Sequence, residues 1–143
     1  QTIRIDTEKD RPRGDGLKKV LMKRNWYAVV ILLMLCLLLL AAGRYVDRTT
    51  AALVQQVQAA YALAMQGDCP AARRAYGRAA EKARESSGLL NLLVRRNILD
   101  QMNQTMAVLP PCAETDSLAD LEMETQRACT QIEQVRQSFF GGL

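Results

Sequence analysis

The sequence predicts an all-α protein: one N-terminal transmembrane helix followed by an antiparallel up-down four-helix bundle. Three observations predict it. Residues 26–42, WYAVVILLMLCLLLLAA, carry no charge and no strongly polar group. Beyond them apolar residues recur three and four apart nearly to the C-terminus, the period of a helix with one buried face. No stretch shows the sustained alternation or β-branched enrichment of a strand.

Nothing else in the chain rivals the apolar run. At 1.5 Å rise per residue it covers about 25 Å, close to the roughly 30 Å hydrocarbon layer once a turn of flank is added. Lys18, Lys19, Lys23 and Arg24 precede it, as expected of a cytoplasmic N-terminus. Trp26 and Tyr27 sit where it begins, suited to the headgroup region, and Phe140 at the far end of the chain is a third residue expected at the membrane interface. Residues 1–25 hold eight Lys or Arg against four Asp or Glu, and residues 26–143 hold eleven of each, so the net charge of +4 resides in the basic tail. The divisions expected are therefore a cytoplasmic tail over 1–25, a transmembrane helix over 26–43 and an extracytoplasmic helical bundle over 44–143. The chain opens on Gln1, and Met22-Lys23-Arg24 reads as a native start, which would leave 1–21 outside the native protein. Ala41-Ala42-Gly43 offers the small residues of a signal-peptide cleavage site, so a domain secreted after cleavage near Gly43 is the alternative. The apolar core exceeds the roughly 7–15 residues usual in signal peptides and helical patterning continues past Gly43, which favours an anchor. Cys36 follows bulky Leu35 and reads as a buried apolar residue rather than a lipid-attachment site.

Four helices are expected beyond the membrane, the first over about Arg44 to Gln66. Val46, Thr50, Leu53, Val57, Ala60 and Ala64 form its seam. Gly67-Asp68 stops it, because Gly accepts the left-handed conformation at a helix end and Asp caps the helix that follows. The second runs from Cys69-Pro70 to about Glu85, with Pro in the first turn and Ala72, Tyr76, Ala79 and Ala83 as its buried stripe. Ser86-Ser87-Gly88 is expected to break it. The third spans about Leu89 to Leu109 on Leu92, Leu99, Met102, Met106 and Leu109, and Pro110-Pro111 ends it. The last keeps a strict three-four spacing through Leu118, Leu121, Thr125, Ala128, Ile132, Val135 and Phe139, with Asp116 or Ser117 as cap. Glu114, Asp116, Asp120, Glu122 and Glu124 crowd its beginning, where the helix dipole stabilises negative charge.

Short connections make sequence neighbours pack as neighbours in space, hence the up-down order. That order puts Cys69 and Cys112 in the two turns at the end distal to the membrane. There they are within the reach of a disulfide, which a non-cytoplasmic location would preserve. Cys129, thirteen residues beyond Asp116 along the last helix, should not pair with Cys112.

The absence of His removes the usual neutral-pH base and the commonest metal ligand. There is no Gly-rich phosphate loop, no Cys-x-x-Cys and no Gly-x-Ser-x-Gly elbow, so neither an enzyme nor a bound cofactor or metal is expected. Arg73, Arg74, Arg78, Lys82, Arg84, Arg95 and Arg96 are offset by nearby acids and would face away from the cytoplasm, which argues against nucleic acid. Within that set Arg74, Arg78 and Lys82 form a four-spaced row. A solvated surface explains it, and a surface for an anionic small molecule or envelope polymer is the functional alternative. The partners expected are the lipid bilayer and a membrane or envelope protein, or a second copy of the chain.

The layout KRNWYAVVILLMLCLLLLAAGRYVDRTTAAL, a Gly-Asp turn, an amphipathic pair and a closing acidic helix resembles a family of short single-span bacterial proteins defined by a domain of unknown function. The likeness covers about Met22 to Leu143 and departs from the family at Cys69-Pro70, where an aromatic residue usually follows the turn. It implies a bacterial cytoplasmic membrane location and no activity, cofactor or site residue. Leu63, Gly67, Asp68, Ala72, Tyr76 and Ala79 also resemble the core of one tetratricopeptide hairpin, which would imply a peptide-binding adaptor. A solenoid needs roughly three such units, and no second copy follows at a 34-residue offset. The reading favoured is a membrane-anchored interaction or accessory protein without catalytic activity.

Overall fold

The structure, a computed structural model, describes residues 14–114 and 117–141. It contains four helices: α1 (Gly14–Met65), α2 (Cys69–Leu93), α3 (Arg96–Cys112) and α4 (Leu118–Phe140). Among the described residues there is no strand. The chain divides into two units, Gln1–Leu39 and Leu40–Leu143.

In the first unit, helix begins at Gly14, inside the segment expected to be a tail. Its apolar side chains are exposed: of the most apolar stretch of α1 only 6% is buried. A core helix of a soluble protein would bury that stretch. This helix is long and apolar enough to cross a membrane. Cys36 lies exposed on it rather than buried within protein.

In the second unit the seam expected on α1 is the one observed, since Val46, Thr50, Leu53, Val57, Ala60 and Ala64 are all buried. Thr50 is tolerated there because its hydroxyl donates to the Val46 carbonyl at 2.8 Å, leaving no unpaired donor in the core. The α1–α2 turn is built as its chemistry dictates. Gly67 sits at φ +84°, its N–H donates to the Ala64 carbonyl, and the Asp68 N–H reaches back to Leu63, which together form a Schellman motif. Asp68 then serves the next helix, its carboxylate accepting from the Ala71 N–H at 3.2 Å.

The α2 stripe of Ala72, Tyr76, Ala79 and Ala83 is buried as expected, but the helix does not break at Ser86-Ser87-Gly88; it continues to Leu93. A mid-helix Gly costs about 1 kcal/mol relative to Ala. Continuing the helix buries Leu90 completely, which contributes about 1.5–3 kcal/mol. The Ser87 hydroxyl adds to the gain by donating to the Ala83 carbonyl at 2.8 Å and accepting from Asn103 Nδ2 at 2.8 Å. The break falls instead at Val94 and Arg95, both extended. Leu92, expected in the core of the third helix, is therefore on α2 and 82% exposed.

Helix α3 buries Leu99, Met102, Met106 and Leu109, as the spacing requires. It passes through Pro110 and Pro111 to Cys112. The two prolines occupy the final turn, where their fixed φ suits a helix, and the helix there forgoes the N–H bonds that positions 110 and 111 would otherwise donate to Met106 and Ala107. The Ser117 hydroxyl caps α4 by accepting from the Asp120 N–H, while the alternative cap, Asp116, lies outside the described residues. Leu121, Thr125, Ala128, Ile132 and Val135 are buried. Leu118, the first residue of that predicted seam, is instead half exposed because it stands ahead of the first full turn.

Candidate functional site

Within the second unit, side-chain pairs join distant parts of the sequence. Arg73 at the start of α2 pairs with Glu114 just past α3. The Tyr76 hydroxyl meets the Thr125 hydroxyl at 2.8 Å across the core, tying α2 to α4. Arg136 near the end of α4 contacts Asp47 at 3.2 Å, and the Phe139 and Phe140 rings lie against Gly43. These rings meet edge to face at 5.2 Å, a favourable aromatic geometry.

The titratable groups with shifted pKa values have structural causes. Burial pushes the Tyr76 hydroxyl up, only partly countered by its bond to Thr125. Burial also raises the Cys129 thiol, and it raises Cys112 with help from the negative charges of Glu124 and Asp120. Both thiols are thus held away from the thiolate that nucleophilic chemistry needs. Glu133 is lowered by its hydrogen bond from Arg136, whose own value is raised by Glu133 and then by Asp47. Among the described residues no three Cys, Asp or Glu side chains gather where they could hold a metal ion.

The residues singled out from the sequence fall in three places. Trp26 and Tyr27 are exposed on α1 in the first unit. Arg74 and Arg78 are exposed and Lys82 half-buried along one face of α2. Among the described residues none of the three forms an ion pair, whereas the neighbouring Arg73 and Arg84 are paired with Glu114 and Glu81. Their four-residue spacing puts the three charges in one row. Cys69 is an exposed free thiol and Cys112 a half-buried one. Cys69 lines a shallow groove with Pro70, Arg73, Arg74, Gly77, Pro110 and Glu114, so the α1–α2 and α3–α4 turns share one end of the unit.

A fourth place was not visible in the sequence pattern. Leu89 and Leu92 lie exposed near the end of α2, next to the α2–α3 turn with its exposed Arg95 and Arg96. Leu93, Arg95 and Ile98 line a groove with Gln134, Gln137, Ser138 and Gly141, so this turn lies beside the end of α4. Only the continuation of α2 through Gly88 gives these leucines their position, and no local signal announces it. Comparison of the chain with protein-family profiles, with characterised proteins and with solved structures returns no match.

Proposed function

We propose that this protein is a single-span membrane protein whose helical domain acts as a non-catalytic interaction or accessory module. In this reading α1 crosses a bilayer between Trp26 and Ala42 with the basic tail on the cytoplasmic side. Residues 44–143 form an antiparallel up-down bundle on the other side and engage a membrane or envelope protein, or a second copy of the chain. The observation that carries the reading is the contrast in exposure. The apolar stretch of α1 stands almost entirely uncovered while the second unit closes a core of its own. Side chains as apolar as these need a hydrocarbon environment. The antiparallel order is supported by the pairings of Arg73 with Glu114 and Arg136 with Asp47, each of which brings one helix end to the end that an up-down order assigns it.

A second reading has a specific observation in its favour. Among the described residues Arg74, Arg78 and Lys82 have no acidic partner, which suits a surface that receives an anionic small molecule or envelope polymer. A Cys69–Cys112 disulfide is part of the outward-facing proposal, supported by the two turns sharing one end.

Labelling with a membrane-impermeant maleimide, before and after reduction, tests topology, because Cys69 is exposed. Modification of Cys69 in intact cells supports the outward orientation, and a requirement for prior reduction supports the disulfide. Modification only after lysis overturns the orientation. Extraction of the chain by alkaline carbonate overturns the anchor. Replacing Arg74, Arg78 and Lys82 with Gln should leave partner association intact if the domain is an interaction module; loss of function would favour the anion-binding reading.

A further inference from the structure

The end of the bundle reached from the apolar segment is neither fully polar nor fully closed. Gly43, only one residue past the apolar run, lies against Phe139 and Phe140, and the last residues of α4 share a groove with the α2–α3 turn. One end of the second unit therefore gathers Leu40, Gly43, Leu92, Arg95 and Phe140. Four large apolar side chains stay uncovered there or one turn away: Leu40, Leu89, Leu92 and Phe140. Three exposed arginines accompany them, Arg44, Arg95 and Arg96. The acids nearby offset this charge only in part. Asp47 is engaged by Arg136 at 3.2 Å and Asp100 pairs with Arg96 at 3.9 Å, which leaves Arg44 and Arg95 without an acid among the described residues.

We propose that this end of the bundle docks on the surface of the bilayer that holds the apolar segment, with Leu89, Leu92 and Phe140 at the headgroup boundary and Arg44, Arg95 and Arg96 against anionic phospholipid phosphates. The proposal rests on the single-span reading above. Two observations commit it to lipid rather than to a protein partner. Leu40, within the second unit, belongs both to this end and to the apolar run of residues 26–42, so this end follows the hydrocarbon-suited stretch with no intervening linker. The mixture of exposed leucine and aromatic side chains with exposed arginines is also the composition that binds anionic interfaces, each basic residue near the surface favouring the docked state about fivefold.

The test uses the full chain reconstituted in vesicles of phosphatidylcholine and phosphatidylglycerol whose acyl chains carry bromine quenchers. Trp26 is the sole tryptophan, so the wild-type protein reports the anchor directly. In a W26F background, L92W reports the docking end, and L118W, at the opposite end of α4, is the reference position. Matching circular dichroism spectra establish that the variants fold. Docking predicts strong quenching of L92W and little of L118W. It also predicts a fall of about 25-fold in the docked-to-undocked ratio when R95Q and R96Q are added, and of about 125-fold, for all three arginines, when the phosphatidylglycerol is left out. Quenching of Trp26 without quenching of L92W overturns the docking while leaving the anchor intact. Equal quenching of L92W and L118W also overturns it, since the contact would not be confined to this end. An unquenched Trp26 overturns the single-span reading and the docking with it.

Discussion

Replacing Tyr76 with Phe isolates a hydrogen bond that crosses the core from α2 to α4. Tyr76 is fully buried and its hydroxyl lies 2.8 Å from that of Thr125, itself 6% exposed. The ring and its packing survive the substitution, so the cost is that of the lost bond and of leaving Thr125 unpaired. A net hydrogen bond contributes about 0.5–1.5 kcal/mol and an orphaned buried hydroxyl costs about 1–3 kcal/mol. Thr125 lies mid-helix and can turn its hydroxyl to a carbonyl one turn back, which places the expected loss at about 1–2 kcal/mol. Thr125→Val should cost a similar amount by stranding the Tyr76 hydroxyl. The double variant removes both polar groups and keeps the shape, so its cost should fall short of the sum by about 1 kcal/mol. The assay is guanidinium unfolding of the full chain in nanodiscs, followed by circular dichroism, with the slope of the transition required to stay constant. If the two single costs add to within about 0.3–0.5 kcal/mol, the hydroxyls are not coupled and the link between α2 and α4 is refuted.

Two glycines should respond in opposite directions under the same assay. Gly67→Ala forces a side chain into the left-handed region at φ +84° and should cost about 1–2 kcal/mol. A Cβ at Gly43 would meet the Phe139 and Phe140 rings at 3.5 Å, ordinary contact, so Gly43→Ala should stabilise the helix by about 0.5–1 kcal/mol. The pH dependence at the alkaline end follows from Tyr76, whose pKa is raised in the folded chain. Its stabilisation is complete below about pH 10, the unfolded value, and is lost as pH rises toward the folded one. Unfolding titrations should show that loss, and Tyr76→Phe should flatten it. Alkylation of the reduced protein should modify exposed Cys69 well before half-buried Cys129, whose thiol is held protonated by burial; equal rates would contradict the burial.

Much of the bundle could be read locally because its signals are local. The seam of α1 from Val46 to Ala64 and the α4 positions from Leu121 to Val135 follow from periodicity alone. The Gly67-Asp68 turn follows from two residues whose backbone and capping preferences act within one turn of chain. The apolar run from Trp26 to Ala42 is legible for the same reason, since its composition suits a hydrocarbon environment whatever the rest of the chain does. The basic row on α2 could be located by its spacing, but which arginines find an acid among the described residues could not, because Arg73 finds its acid forty-one residues away at Glu114.

Tertiary packing decided where local preferences conflict. Ser86-Ser87-Gly88 has the chemistry of a break, yet burial of Leu90 and the bond between Ser87 and Asn103 outweigh the helix penalty of one glycine. Val94-Arg95 has no turn chemistry and becomes the break because the preceding helix has by then delivered Leu90 to the core and the next must bring Leu99 back to it. That shift moves Leu92 from the expected core to the surface and creates the exposed apolar and basic end beside Phe140. The physical reason is one of range: caps, turns and helical periods act over a few residues, whereas the choice between two nearby helix ends is made by which side chains the rest of the bundle can bury.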